Sequence, residues 1–233
     1  MPAAGWRAVA RPGLKSLALV LAAALLGFGF LLVADEVGEG DTRNFDTQLL
    51  RGAQALRAAY PAMAGAMRDL SGLGSTSVLA LFTLLAVGYL LMLAQRKTAL
   101  LVAISVLAGT ALVSVFKLSF GRARPDAAFA DFAVTGLSFP SGHATMSAIV
   151  FLTLGALVAS TRRHPRERVF ILSTAALMTL LVGVSRVMLG LHWATDVLGG
   201  WAFGAGWSLM GLLLNRWWTR GFGPMGRGGS GAA

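Results

Sequence analysis

Apolar runs of about 20 residues recur along this chain, and they restrict its fold more than any other feature. An α-helix needs about 20 consecutive, mostly apolar residues to cross the hydrocarbon core of a bilayer. We predict six membrane-spanning helices, at Leu14–Ala34, Ser75–Ala94, Thr98–Phe120, Ser141–Ser160, Val169–Leu189 and Trp193–Leu214. The predicted fold class is therefore all-α: a polytopic membrane protein with a six-transmembrane-helix bundle, forming a single membrane domain over residues 1–233.

The composition agrees with a membrane protein. Hydrophobic residues make up 56% of the chain and charged residues only 13%, which is too apolar for an ordinary soluble domain. The net charge of +10 suggests nucleic acid as a partner, but the basic residues lie between the apolar runs as orientation signals, so we predict no nucleic-acid partner. The chain has no cysteine, which excludes disulfides and thiol-based metal sites.

Charge is distributed unevenly between the two ends of the predicted bundle. The first end carries one acid, Glu167, and twelve basic residues. These are Arg7, Arg11, Lys15, Arg96, Lys97, Arg162, Arg163, Arg166, Arg168, Arg216, Arg220 and Arg227. The other end carries the remaining eight basic and nine acidic residues. The positive-inside rule places the basic end, with both termini, in the cytoplasm. Trp217 and Trp218 would then lie in the inner aromatic belt, and Trp193 in the outer one.

Residues 35–74 form a polar segment between the first two spans, which we expect to lie outside the membrane. Its middle, from Phe45 to Met67, has apolar residues at helical spacing between arginines, which predicts an amphipathic helix along the membrane surface. A plain loop with one short helix fits the same residues. The first span also resembles a cleavable signal peptide, although its apolar run is rather long for one.

The outer end of the third span is unusually basic, with Lys117, Arg122 and Arg124 before Pro125. A lysine or arginine inside or bordering an apolar span is costly unless it is paired, so these residues are functional candidates. Snorkelling of the side chain to the interface is the alternative for Lys117. This end of the span is therefore a candidate anion site.

The fourth span opens with Pro140-Ser141-Gly142-His143. The first amides of a helix have no internal partner, so together with the Ser141 hydroxyl they can bind an anion. Gly142 lets such a group approach the backbone closely, and His143 is placed to give or take a proton beside it. A capped helix start with an interfacial histidine explains Ser141 but not His143.

The stretch from Ser185 to Asp196 holds an arginine, a histidine and an aspartate between two apolar segments. His192 and Asp196 are four residues apart, so on a helical turn they can hydrogen-bond. A carboxylate on one imidazole nitrogen fixes the tautomer and leaves the other nitrogen free as a base or nucleophile. Arg186 offers a planar fork that suits phosphate or carboxylate. Alone, this set fits a satisfied structural pair equally well.

Together the three stretches place several cations and a helix start at the outer helix ends, which suits a phosphate. They also resemble a known family. K-x6-R-P (Lys117 to Pro125), P-S-G-H (Pro140 to His143) and S-R-x5-H-x3-D (Ser185 to Asp196) are similar to the three signature motifs of the type 2 phosphatidic acid phosphatase (PAP2) family. That family is similar to the vanadium haloperoxidases around the same anion site.

The resemblance implies a role for each matching residue. His192 would be the nucleophile that forms a phosphohistidine, Asp196 would orient it, and His143 would be the general acid. The resemblance implies a phosphate cradle formed by Lys117, Arg124, Ser141, Gly142 and Arg186. Arg122 lies outside the motif and is a headgroup contact at most. We also expect His192 to lie at the membrane interface rather than in a packed core.

The implied function is hydrolysis of a phosphomonoester or diphosphate of a membrane lipid: undecaprenyl diphosphate, phosphatidylglycerol phosphate or phosphatidate. No cofactor and no metal are implied. The expected location is a bacterial inner membrane with the active site facing outward. Transfer of the phosphate to another lipid is an alternative within the family. An anion transporter is the alternative from another class, but its polar groups would lie near the midplane. The sequence leaves the oligomeric state open.

Overall fold

The structure, a computed structural model, describes residues 14–132 and 134–220, without the side chains of residues 15, 219 and 220. These residues form nine α-helices and one π-helical turn, and no strand. The helices are α1 (Leu14–Glu39), α2 (Arg43–Ala59), α3 (Ala62–Gly72), α4 (Thr76–Met92), α5 (Arg96–Phe120), α6 (Gly142–Ser147), α7 (Thr153–Ser160), α8 (Pro165–Met188) and α9 (Ala194–Arg220). The π-helical turn, Ala148–Leu152, joins α6 to α7. Arg7, Arg11 and Arg227 of the predicted cytoplasmic charge set lie outside the described residues.

Six helical stretches of the described chain are long and apolar enough to cross a membrane, which confirms the predicted number. They are Ser16–Glu39, Ala62–Met92, Arg96–Phe120, Gly142–Ser160, Pro165–Met188 and Ala194–Trp218. The first span is longer than predicted, because a helix continues past its first acidic residue, Asp35, once its outer turns leave the apolar layer. The second begins earlier than predicted, because α3 precedes α4 after a short turn.

The polar segment differs from the prediction of one helix over Phe45–Met67. Two helices, α2 and α3, meet at Tyr60 and Pro61. A residue before proline is disfavoured in the α conformation, and Tyr60 has φ −130° and ψ 81°. The prediction of a continuous helix was therefore wrong, and the proline was the signal that marks the break. The amphipathic character is present, since α2 buries Leu50 and Ala53 and exposes Arg43 and Arg51.

Helix α9 is the central packing partner of the bundle, with contacts to α1, α5, α6 and α8. Glycines on α9 allow α6 to approach it closely. A Cβ at Gly204 would lie 2.5 Å from the Thr145 carbonyl oxygen, and one at Gly200 would lie 3.0 Å from the Ser141 carbonyl oxygen. Gly200 and Gly204, in a G-x-x-x-G spacing, therefore mark close helix packing. This contact fixes the start of α6 against α9.

Aromatic packing holds the segment before α6 in place. Phe139 is fully buried and its ring meets that of Phe120 edge to face, with centroids 4.9 Å apart. It also stacks on Phe30 of α1 at 5.9 Å, and Gly199 of α9 leaves room for it. The start of α6 therefore follows directly after a side chain wedged between α1, α5 and α9.

The turn between α8 and α9 depends on Gly190. This residue has φ +70°, which favours glycine, and a Cβ there would collide with the carbonyl group of Phe129. The long loop after α5 packs on the turn at this point, where the Asp131 amide donates to the Leu189 carbonyl at 2.9 Å. The ends of α5 and α8 and the starts of α6 and α9 thus meet at one end of the bundle.

Candidate active site

His192 and Asp196 form the centre of the site, in the turn between α8 and α9 and in the first turn of α9. His192 Nδ1 lies 3.1 Å from Asp196 Oδ2. The same oxygen accepts hydrogen bonds from the Trp193 amide at 2.9 Å and from the Ser138 hydroxyl. A carboxylate oxygen accepts only, so Nδ1 carries the proton of the ring. The other nitrogen, Nε2, is left with its lone pair.

Arg124 defines the environment of that second nitrogen. Its Nη1 lies 3.1 Å from His192 Nε2 and donates to the Leu191 carbonyl at 2.8 Å. Since a guanidinium has no acceptor, Nε2 must be the acceptor in this contact. Its Nε donates to the Gly136 carbonyl at 3.1 Å, which fixes the guanidinium plane. A cation therefore lies beside the atom that the sequence assigns as nucleophile.

The His192 ring is neutral at pH 7. Burial lowers the pKa of His192 to about 4, although its hydrogen bond to Asp196 acts in the opposite direction. The residue is 1% exposed, so the expectation that it lies at the interface rather than in a packed core was wrong. The loop after α5 covers it, since Arg124 and Ser138 contact its ring from 68 and 54 positions away in sequence. A neutral ring is the form that can act as a nucleophile.

Arg186 and Lys117 point to the same region from α8 and α5. Arg186 is 4% exposed and donates from Nη1 to the Ser71 hydroxyl at 2.7 Å. Its Nε is buried and has no hydrogen-bond partner among the described residues. Lys117 Nζ donates to the Leu137 carbonyl at 2.6 Å, and it lies within electrostatic range of the positive charges of Arg124 and Arg186. Of these two side chains, Arg186 has an N–H donor, on Nε, that no described residue accepts.

The start of α6 contributes Ser141, Gly142 and His143. Ser141 is the N-cap: it is fully buried, and its hydroxyl accepts from the Ala144 amide at 3.5 Å. Only Val113, at 3.9 Å, approaches the position of a Cβ on Gly142, so the protein leaves that side of the backbone open. The His143 ring has no hydrogen-bond partner among the described side chains, and it lies within electrostatic range of Arg186, Arg124, Lys117 and His192.

The structure thus brings the sequence-predicted site residues together at one end of the bundle. Within the described part of the chain, no carboxylate lies within 4.0 Å of Lys117, Arg124 or Arg186. Three like charges this close repel one another unless an anion lies between them. The arrangement can hold a multiply charged anion against His192 Nε2. No group of three metal-ligating side chains occurs among the described residues.

Two residues near Asp196, Ser138 and Asp46, were not predicted from the sequence as parts of the site, and Arg122 was predicted only as a headgroup contact. The Ser138 hydroxyl donates to Asp196 Oδ2, and Arg122 Nη1 donates to Oδ1 at 2.7 Å. Arg122 Nη2 forms an ion pair with Asp46 of α2, also at 2.7 Å. Both Nη atoms of Arg122 are thus occupied by protein groups, whereas the sequence suggested a headgroup contact at most. Its position at the basic outer end of the third span was the sequence signal for it.

Comparison with known proteins agrees with the three motifs. Residues 98–220 match the PAP2 superfamily. Phosphatidylglycerophosphatase B of Bacillus subtilis is 31% identical over 180 residues, which cover 75% of this chain and 85% of the relative. Lipid A 1-phosphatase of Rhizobium johnstonii is 37% identical over 113 residues, which cover 44% of this chain and 42% of the relative. The chain therefore matches less than half the length of that second relative.

The fold is also similar to solved structures. The PAP2-type phosphatidylglycerolphosphate phosphatase from Bacillus subtilis superposes with a TM-score of 0.75 at 24% identity, covering 88% of this chain and 98% of that structure. Aquifex aeolicus LpxE superposes with a TM-score of 0.57 at 22% identity, covering 72% and 94%. These structures show a similar fold, and the family match and the relatives confirm the resemblance: the chain is a multi-pass membrane protein that belongs to the PAP2 superfamily of phosphatases.

Proposed function

We propose that this protein hydrolyses a phosphomonoester or diphosphate of a membrane lipid through a phosphohistidine on Nε2 of His192. The observation that carries the proposal is the set of three cations, Lys117, Arg124 and Arg186, without a carboxylate partner in the described chain, around a neutral histidine whose Nε2 is unprotonated. A phosphate group would supply the missing negative charge and accept the unpaired donor of Arg186.

The proposed reaction gives the two histidines different roles. Nε2 of His192 attacks phosphorus while the bond to the leaving oxygen breaks, and His143 donates a proton to that oxygen. His143 then accepts a proton from water, whose oxygen attacks the phosphohistidine and releases inorganic phosphate. Asp196 balances the positive charge that the His192 ring carries in the intermediate. The enzyme regains its starting protonation state after one turnover.

Catalysis in this scheme depends on positioning and on electrostatic stabilisation. Charge on the transferring phosphoryl oxygens is stabilised by donors that are already in place. Lys117, Arg124 and Arg186 supply fixed positive charge, and the backbone at Gly142 leaves room for a phosphate to approach the start of α6. These groups can neutralise the charge on the phosphoryl oxygens, as Mg²⁺ does in other phosphoryl-transfer sites.

A lipid phosphate is the substrate class that fits a site at the ends of membrane-spanning helices. The headgroup would stay at the interface while the chains remain in the bilayer. The candidates are undecaprenyl diphosphate, phosphatidylglycerol phosphate and phosphatidate, and the name of one relative adds lipid A 1-phosphate. We propose that the site faces the outside of a bacterial inner membrane.

A transporter is disfavoured, because the ionisable side chains of the site lie at helix ends rather than at the midplane.

A panel of lipid phosphates tests the proposed activity. We expect purified protein in detergent to release inorganic phosphate from at least one of the four candidates, in the presence of EDTA as well as in its absence. The panel is read as kcat/KM for each lipid, with a water-soluble phosphomonoester as the control for the lipid requirement. Release from none of the lipids would contradict the proposal, and loss on chelation with recovery on Mg²⁺ addition would contradict the metal-independent mechanism.

Cysteine labelling tests the proposed orientation. Ala128, in the loop after α5, and Arg163, between α7 and α8, are both exposed. In intact cells, a membrane-impermeant thiol reagent is expected to label Ala128→Cys and to spare Arg163→Cys, since Arg163 belongs to the end with twelve basic residues, which we expect in the cytoplasm. The cysteine-free parent is the background control. Labelling of position 163 and not of 128 would invert the topology and place the site in the cytoplasm.

A further inference from the structure

Asp46, in the first turn of α2, is a fully buried carboxylate at the edge of the site. It forms an ion pair with Arg122 Nη2 at 2.7 Å. It also accepts hydrogen bonds from the amide of Thr195 at 2.9 Å and from its hydroxyl at 2.6 Å. The carboxylate therefore joins α2 to the loop after α5 and to the first turn of α9.

Arg122 connects this carboxylate to the catalytic pair. Its Nη1 donates to Asp196 Oδ1 at 2.7 Å, so one planar guanidinium lies between two buried carboxylates. The opposite oxygen of Asp196 accepts from His192 Nδ1. A guanidinium held at both ends fixes the plane of the carboxylate that it contacts. The orientation of His192 thus depends on a chain of contacts that ends at Asp46.

A merely structural role for Asp46 would be redundant with other contacts of α2. Arg57 donates to the carbonyls of Met188 and Phe129, and Gln54 donates to the carbonyl of Ala128 at 3.0 Å. These bonds already tie α2 to the end of α8 and to the loop after α5. Burying an ion pair carries a large desolvation penalty, so an apolar contact would tie the helices at lower cost.

We propose that Asp46 is a positioning residue of the phosphatase: acting through Arg122, it fixes the carboxylate of Asp196 and with it the ring of His192. The proposal rests on the proposed role of His192 as the nucleophile. It also assigns a function to the polar segment of residues 35–74. This segment, which carries none of the three motifs, supplies the outer end of the contact chain.

Steady-state kinetics of Asp46→Asn test this role. Asparagine keeps the size of the side chain and can accept from the Thr195 amide, but it removes the charge that holds Arg122. We expect kcat to fall about 10- to 100-fold, as for a small misplacement of a catalytic group, with KM changed by less than about threefold. The matched control is Asp131→Asn, which breaks the Arg68–Asp131 ion pair at the same end of the bundle and should leave kcat within about twofold.

Two further measurements separate positioning from general destabilisation. Arg122→Lys breaks the chain from its middle, because an ammonium lacks the fork that spans two carboxylates. The fall in kcat of Arg122→Lys should match that of Asp46→Asn, and kcat of the double variant should be no lower than that of the less active single variant.

The chain has three histidines, so ¹⁵N-histidine spectra can follow His192 directly. We expect a single Nδ1–H tautomer in the wild type and a mixture of tautomers in Asp46→Asn.

The outcomes distinguish this proposal from the proposed function. A kcat of Asp46→Asn within about twofold of wild type, losses that multiply in the double variant, or an unchanged His192 tautomer would each overturn the positioning role. If Asp46→Asn does not fold, Arg122→Lys decides alone: a normal kcat overturns the role, and a loss with unchanged KM supports it. If wild-type protein releases no phosphate, or His192→Asn retains activity, the proposed function fails instead.

Discussion

His192→Asn is expected to lower phosphate release by about 10⁴-fold or more, the scale of loss when a catalytic nucleophile is removed. The asparagine amide can replace Nδ1–H as a donor to Asp196, but it has no lone pair at the position of Nε2. Because His192 is buried, this variant preserves the packing and the hydrogen bond better than alanine would. The measurement is kcat on the best lipid of the panel, together with trapping of an acid-labile phosphoenzyme from ³²P-labelled substrate.

The control for this prediction is His164→Asn. His164 is exposed and precedes the first turn of α8 at the opposite end of the bundle. Its replacement should leave both kcat and phosphoenzyme formation within about twofold of wild type. Appreciable turnover by His192→Asn, or an unchanged phosphoenzyme signal in it, would eliminate His192 as the nucleophile.

Asp196→Asn should be nearly as damaging, with a loss of about 10⁴-fold in kcat, as for other carboxylates that orient a catalytic histidine. Oδ2 of Asp196 accepts from His192, Trp193 and Ser138, and Oδ1 accepts from Arg122. Both oxygens thus face donors, so the amide NH₂ of asparagine must point at a donor in either orientation. The ring loses the partner that selects the Nδ1–H tautomer. The measurement combines kcat with the ¹⁵N spectrum of His192.

Asp126→Asn is the matched control for this substitution. Asp126 lies in the exposed loop after α5, and its Oδ1 accepts from the Ala128 amide at 2.9 Å, a contact that asparagine can also make. We expect normal kcat and a normal His192 spectrum in this variant. If Asp196→Asn kept more than about a tenth of wild-type kcat, Asp196 would not be the group that orients the nucleophile.

The features that could be predicted from sequence are those that depend on short stretches of chain. The six spans follow from local hydropathy, since each span must match the membrane by its own composition. The approach of α6 to α9 follows from Gly200 and Gly204 on one face of one helix. The pairing of His192 with Asp196 follows from a spacing of four residues. Each of these depends on residues that are neighbours in the chain.

Two differences between the predicted and the observed helices have local causes. The break between α2 and α3 was visible in the sequence as Pro61 but was overridden by a helical pattern of apolar residues. Helix α1 continues past its predicted end at Ala34, because the first acidic residue, Asp35, marks the end of the apolar part of the helix and not the end of the helix. Hydropathy marks where a helix leaves the apolar layer, whereas the hydrogen bonds of the backbone decide where it stops.

Six spans and three motif segments at one end of the bundle can be predicted from local stretches of sequence. The surroundings of His192 and Asp196 depend on contacts between segments that are distant in the chain. Asp46 and Thr195 are 149 positions apart, and Arg122 and Asp196 are 74 apart, so no local pattern relates them. The burial of His192 likewise depends on a loop that reaches it from α5. Contacts between distant residues form only when the helices pack, because packing alone brings their ends within hydrogen-bond distance.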